Sequence, residues 1–157
     1  MSNIINIIFG TQTGNAEIAA HKVSEYVESQ GFKTNVQDLD NIELDTLLDM
    51  KNLMVITSTF GDGEMPGNAT IFWSKLSCCS KEDLDLSNIN YSVLALGDSS
   101  HENFCNAGKL LDEKIYELGA NKILKRSDCD VEYEEVSEEW SKNYISIIKN
   151  IYLCDKL

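Results

Sequence analysis

Short, continuous apolar runs recur along the chain, and polar loops and apolar residues at helical spacing separate them. Ile4 to Phe9 is a β-branched run ending at Gly10, the pattern of a strand buried on both faces. From Gly14 to Gln30, Ala16, Ala19, Val23, Tyr26 and Val27 share one helical face, and Gly31 stops the helix. Phe32 to Gln37 alternates as a strand, and Glu43 to Met50 is a short helical stretch. Leu53 to Thr57 is a second continuous apolar strand. Thr70 to Leu76 predicts a helix and Tyr91 to Leu96 a third buried strand. Ala107 to Leu118 places Leu110, Leu111, Ile115 and Leu118 on one helical face, with Gly119 as C-cap. Lys122 to Arg126 predicts a strand. Val136 to Ile151 predicts a closing helix, with Trp140, Tyr144, Ile147, Ile148 and Ile151 on one face.

Strand and helix alternate, and strands that are apolar throughout need helices on both sides. The expected fold is therefore α/β, a five-stranded parallel sheet with helices on both faces. At 157 residues the chain is expected to form a single domain over 1–157, burying roughly two thirds of its unfolded surface. No apolar run approaches the roughly 20 residues of a membrane span, so no membrane association is expected. Met1 to Asn6 carries no basic segment ahead of a long apolar stretch, so no signal peptide is expected. Cys78, Cys79, Cys105, Cys129 and Cys154 are odd in number and lack zinc-type spacing. Reduced thiols in a cytoplasm suit that pattern better than a disulfide framework.

Charge narrows the partners. The formal net charge of −13 repels phosphate backbones, which argues against nucleic acid. It favours basic protein surfaces, although excess acid can also serve solubility alone.

Three loops carry the candidate chemistry, each directly after an apolar run. The first, Thr11-Gln12-Thr13-Gly14-Asn15-Ala16, joins the first strand to the first helix. Backbone N–H groups and the positive end of a helix dipole make that position an anion site. Hydroxyls and amides add neutral donors, and no lysine or arginine lies between Met1 and His21. A phosphate monoester on a tightly held cofactor fits; a nucleoside triphosphate, which wants Gly-Lys-Ser/Thr and magnesium, does not. The alternative is an ordinary hydroxyl-rich turn that caps a helix. The other loops are Ser58-Thr59-Phe60-Gly61-Asp62-Gly63-Glu64 and Leu96-Gly97-Asp98-Ser99-Ser100-His101-Glu102-Asn103-Phe104-Cys105. Phe60 and His101 are flat side chains that can sandwich a planar ring. The alternatives are a Phe60 tucked onto the core and a solvated His101. His21 is expected to be a solvated helix residue, and Cys105 a small apolar filler.

Together these three loops resemble the FMN-binding loops of flavodoxin-like domains. The similarity points in particular to the FMN domain of diflavin reductases such as the NADPH-sulfite reductase flavoprotein. Gly108-Lys109-Leu110-Leu111-Asp112, Glu117-Leu118-Gly119-Ala120, Arg126, Cys129-Asp130-Val131-Glu132-Tyr133 and Trp140 extend it along the chain. The resemblance implies a doubly wound five-stranded parallel sheet in the order 2-1-3-4-5, a flavodoxin-like three-layer sandwich with FMN at the switch point between strands one and three; flavodoxin is itself an example of that rule. It implies that Thr11 to Ala16 hold the ribityl phosphate, with Ser58 to Gly61 on one face of the isoalloxazine and Leu96 to Cys105 on the other. The Gly61 carbonyl would then accept the flavin N5–H in the half-reduced state.

The implied function is a low-potential electron carrier that shuttles single electrons, not an enzyme. Its partners would be basic redox proteins: an NADPH-linked reductase as donor and an acceptor enzyme. Reduction adds negative charge near flavin N1, which Asp62, Glu64, Asp98 and Glu102 would oppose. About 1.4 kcal/mol shifts a one-electron potential by roughly 60 mV. Alternatively these acids are solvated and the loop backbone carries the tuning. His101 stands where the diflavin relatives usually carry a stacking tyrosine, and a histidine can make flavin properties depend on pH. The chain is expected to act as a monomer and, ending at Leu157 without an FAD or NADPH domain, not to draw on NADPH by itself. Rival readings are an FMN-dependent quinone reductase and the FMN subunit of a sulfite-reductase-type complex.

Overall fold

The computed structural model describes residues 3–155. Met1, Ser2, Lys156 and Leu157, with the readings made at the two chain ends, lie outside them. In chain order the elements are β1 (Ile4–Gly10), α1 (Asn15–Ser29), β2 (Lys33–Asp38), β3 (Asn52–Ser58), α2 (Thr70–Leu76), β4 (Asn90–Leu96), α3 (Asn106–Glu117), β5 (Asn121–Lys122), β6 (Ser127–Cys129) and α4 (Glu134–Asp155). Short 3₁₀ turns cover Leu39–Asn41, Leu44–Asp49 and Gly67–Ala69. The sheet runs β2-β1-β3-β4-β5, with β6 also on β4, and every pairing is parallel. This is the expected three-layer α/β fold in the expected order.

Lateral rows explain why the central strands are apolar throughout. Ile8, Val55 and Val93 are paired across β1, β3 and β4, as are Phe9, Ile56 and Leu94 one position on. Successive side chains point to opposite faces. The first row packs in the core that includes Leu111, Ile115 and Phe72 of α3 and α2. The second packs in the core that includes Ala16, Val23, Tyr144 and Ile148 of α1 and α4. Trp140 is buried there and donates its indole N–H to Ser92 Oγ at 2.8 Å, while the Tyr144 hydroxyl reaches the Asn90 carbonyl at 3.0 Å. Both aromatics pack against the sheet as their spacing predicts. On the other face, a Cβ on Gly108 would lie 2.3 Å from Ala95 Cβ, so only glycine lets α3 approach β4 this closely.

The fifth strand departs from expectation. The predicted strand at Lys122 to Arg126 is two short segments, Asn121–Lys122 and Ser127–Cys129, with a break between them. The cause is a buried carboxylate: Asp112 of α3 takes Lys122 Nζ and Arg126 Nη1 at 3.2 Å each and the Tyr91 hydroxyl at 2.8 Å. Arg126 also donates from Nε to Asp128 at 2.7 Å. Satisfying a buried charge in this way takes precedence over continuing a ladder. The bend redirects the chain so that β6 pairs with the C-terminal end of β4, at Leu94, Ala95 and Leu96.

Candidate functional site

The C-terminal ends of β1, β3 and β4 are level, with Gly10 beside Thr57 and Ser58 beside Leu96. The three glycine-bearing loops therefore leave one edge of the sheet together, at the point where the order reverses. They enclose a cleft of about 270 Å³.

At one end is the first loop. Gly14 adopts a left-handed conformation (φ 99°) just before α1, and no side chain caps the helix there. The first-turn amides of α1 have no intrahelical acceptor. Thr13 and Asn15 are exposed and line the cleft with Gln12. Thr11 and Gly14 shape the loop instead: Thr11 Oγ1 accepts the Gly14 N–H at 2.8 Å. Ala16, the second residue of α1, is fully buried. The loop is also tied from behind. The Thr11 N–H donates to Asn68 Oδ1 at 2.6 Å, and Gln12 Oε1 accepts the Gly67 N–H at 2.6 Å.

The second loop folds back on itself. Phe60 and Glu64 exchange N–H to carbonyl hydrogen bonds at 2.8 Å each, with Gly61 (φ 55°) and Gly63 (φ 123°) in the turn. A Cβ on Gly63 would meet Asn103 Cβ at 2.7 Å. Asn103 and Asn106 hold the carbonyls of Asp62 and Gly63 at 2.6 and 2.8 Å. Among the described residues the Gly61 carbonyl accepts no hydrogen bond. Thr59 also secures the next helix, since its Oγ1 accepts the Ala107 N–H at 3.1 Å and so caps α3. Ser58 Oγ reaches back to the Gly10 carbonyl at 3.4 Å.

In the third loop, Leu96, Gly97, Asp98, His101, Asn103, Phe104 and Cys105 line the cleft. Ser99, Ser100 and Glu102 do not, and two of them organise the turn. Ser100 donates to Asp98 from both N–H and Oγ, at 2.9 and 2.7 Å, which lowers the Asp98 carboxyl below its ordinary value. Ser99 donates its N–H and hydroxyl to Asp130, lowering that carboxyl too. His101 Nδ1 lies 3.6 Å from Asp62 Oδ1, joining the second and third loops. Cys105 is buried, its thiol directed at the carbonyls of Ala95 and Cys129, and burial pushes it up to about 12. It stays protonated and acts as the expected apolar filler.

Asp130, Val131 and Tyr133, just after β6, complete the wall. They belong to a stretch carried by the family resemblance, but they were not among the expected site residues. Asn68, Asp38 and Asn106 act from behind the loops and carry no motif that a sequence would reveal. Lining side chains with charge are Asp98 and Asp130, and among the described residues no lysine or arginine lines the cleft. His21 is exposed on α1 with its ring centroid 6.4 Å from that of Phe9, away from this lining. The dipoles at one end suit an anion, and the apolar surfaces of Phe60, Leu96, Phe104 and Tyr133 at the other suit a flat, largely apolar group.

Comparison with known proteins agrees with this geometry. Residues 7–140 match the family model described as flavodoxin. The chain is 38% identical over 140 residues to the sulfite reductase [NADPH] flavoprotein alpha-component of Bacillus subtilis, covering 89% of this chain and 23% of that protein. It is 39% identical over 145 residues to the corresponding component of Vibrio parahaemolyticus, covering 92% of this chain and 23% of that protein. The chain thus spans about a quarter of the length of these curated relatives. Among solved structures, the flavodoxin of Streptococcus pneumoniae TIGR4 superimposes with a TM-score of 0.81 at 26% identity, covering 94% of this chain and 98% of that one. Oxidised flavodoxin 2 from Bacillus cereus gives 0.77 at 26% identity, covering 93% and 98%.

Proposed function

From the premise that the chain belongs to the flavodoxin family of FMN-dependent electron-transfer proteins, we propose that it works as a single-domain, monomeric carrier of single electrons between a reductase and an acceptor enzyme. The observation that carries this reading is the cleft itself: an uncapped, cation-free helix N-terminus faces an apolar slot across one sheet edge. The residues present fit FMN, whose phosphate is an anion and whose ring is flat. When bound, FMN supplies the one-electron chemistry, and the protein supplies binding, orientation and electrostatics.

In this reading Thr11 to Ala16 receive the phosphate, with the α1 amides, Thr13 and Asn15 as donors. Phe60 and the Leu96 to Cys105 loop flank the ring and exclude water, with Tyr133 lining the slot beside them. The open Gly61 carbonyl is an acceptor for a ring N–H. Asp62, Asp98 and Asp130 oppose added negative charge in the slot, an effect that solvent screens at these exposed positions. A carrier of this kind needs no catalytic side chain, and the buried, protonated Cys105 is no nucleophile.

The net charge of −13 supports a basic partner, with an NADPH-linked reductase as donor. The free cysteines support a reducing compartment such as the cytoplasm. A second reading, the FMN unit of a sulfite-reductase-type complex, draws on the similarity to the flavoprotein alpha-components. Stepwise anaerobic reduction of the purified protein, followed by absorbance, tests the common part. Flavin bands that bleach in two resolved one-electron stages are expected. A colourless protein that also fails to take up added FMN overturns it.

A further inference from the structure

The first loop is positioned by a residue outside all three. Asn68 lies in the 3₁₀ turn Gly67–Ala69, between the second loop and α2. Its Oδ1 accepts the Thr11 N–H at 2.6 Å, and its Nδ2 donates to Asp38 Oδ1 at 2.8 Å. These unlike partners settle which way the amide faces, since a carboxylate can meet only the NH₂ and an N–H only the carbonyl. Asp38 is the last residue of β2, and the same oxygen accepts the Asp40 N–H at 2.8 Å. Next to Asn68, the Gly67 N–H holds Gln12 Oε1 at 2.6 Å. The first two residues of the loop are thereby fastened, through one turn, to the end of a sheet strand.

We infer that Asn68 is the positioning residue of the phosphate cradle and sets the preference of this cleft for phosphorylated over unphosphorylated flavin. The inference rests on the reading of the cleft as an FMN site. In a cation-free cradle, a dianion is held only by N–H groups and neutral side chains aimed at it. Aimed dipoles lose strength steeply when misdirected, whereas a lysine would follow its target. By taking the Thr11 N–H out of the donor set and fixing where it points, Asn68 determines how the following amides are presented. The ring end has its own anchors in Asn103, Asn106 and Thr59. Loss of Asn68 should therefore be felt at the phosphate and not at the ring.

The test is a titration of the flavin-free full chain with FMN and, separately, with riboflavin, read by quenching of flavin fluorescence. Asn68→Ala is expected to weaken FMN about tenfold or more and to change riboflavin less than about twofold. Asn68→Asp, which sets a carboxylate against Asp38 and near the phosphate, should lower the FMN-to-riboflavin ratio further. Equal losses for both flavins, or no loss for either, overturn the inference while leaving the FMN reading intact. A wild-type chain that binds neither flavin overturns both. Should Asn68→Ala fail to fold, Asp38→Ala carries the test. It removes the acceptor of Asn68 Nδ2 and leaves Asn68 itself in place, and an unchanged FMN-to-riboflavin ratio in that variant overturns the inference.

Discussion

The loop proposed for the phosphate and the loops proposed for the ring hold their backbones in different ways. In the first, Thr11 and Gln12 are fastened to Asn68 and Gly67, and Gly14 to Thr11, before any ligand arrives. In the second, the base is fastened and the tip is not. Thr59, Asp62 and Gly63 have partners on α3 or the third loop, but among the described residues the Gly61 carbonyl accepts no hydrogen bond, and Phe60, though its backbone is paired with Glu64, is 45% exposed. A cofactor that changes charge while remaining bound needs such a division. Affinity can be concentrated where the chemistry does not happen, leaving the reacting ring to a backbone that is free to adjust.

The strongest way to break this division is at the two glycines of the second loop. Gly63→Ala puts a Cβ 2.7 Å from Asn103 Cβ at a φ of 123°, which side chains rarely adopt. It should cost about 3 kcal/mol in urea unfolding and displace the loop. Gly61→Ala, with nothing within 4 Å and a φ of 55°, should cost only about 1 kcal/mol and act on flavin potentials instead. Equal stability losses in the two variants would mean that the tip is as constrained as the base.

Next in size is a charge placed in the cradle. Thr13→Asp adds a carboxylate at an exposed position lining the phosphate end. Screened repulsion of about 2 kcal/mol should weaken FMN about thirtyfold and leave riboflavin nearly unchanged. If riboflavin weakens equally, the phosphate lies elsewhere.

How far each region was legible in the sequence follows the same line between local and long-range causes. β1, β3 and β4 were readable because burial on both faces writes an uninterrupted apolar run, and the loops were readable because glycine and hydroxyl residues follow each run. The break at residues 123–126 was not, because Lys122 and Arg126 turn toward Asp112, a partner on another element that spacing does not reveal. Asn68 and Asp38 were hidden for the same reason: each is a single polar residue whose meaning comes from a contact with another element. Thr59 was expected at the ring and lines the cleft, yet its capping of Ala107 could be seen only once α3 was placed.

Acid should separate the two regions more gently. Serine donors lower the Asp98 and Asp130 carboxyls, so their contacts contribute fully above the ordinary value of 3.8 and are lost as pH falls through the lower folded value. Both carboxylates shape the third wall of the cleft, and neither touches the first loop. FMN release should therefore begin before the far-UV circular dichroism signal falls in an acid titration. Coincident transitions would show that the wall has no stability of its own.

The smallest effect concerns the pair that joins the two ring loops. His101 Nδ1 is 3.6 Å from Asp62 Oδ1, and the two side chains are 46% and 89% exposed. A contact so open to water, an ion pair only when the imidazole is protonated, is worth under about 1 kcal/mol and is weakened by salt. Asp98, in the same loop, also interacts electrostatically with His101. His101→Tyr keeps a flat side chain on that wall and removes the pairing. FMN affinity should change less than about threefold at low salt, and the difference should vanish at high salt. Flavin potentials that track pH identically in the two proteins would remove His101 from the tuning. A loss of tenfold or more that survives high salt would carry a larger consequence. The ring end would then hold the cofactor as firmly as the cradle does, and affinity would no longer be separated from adjustment.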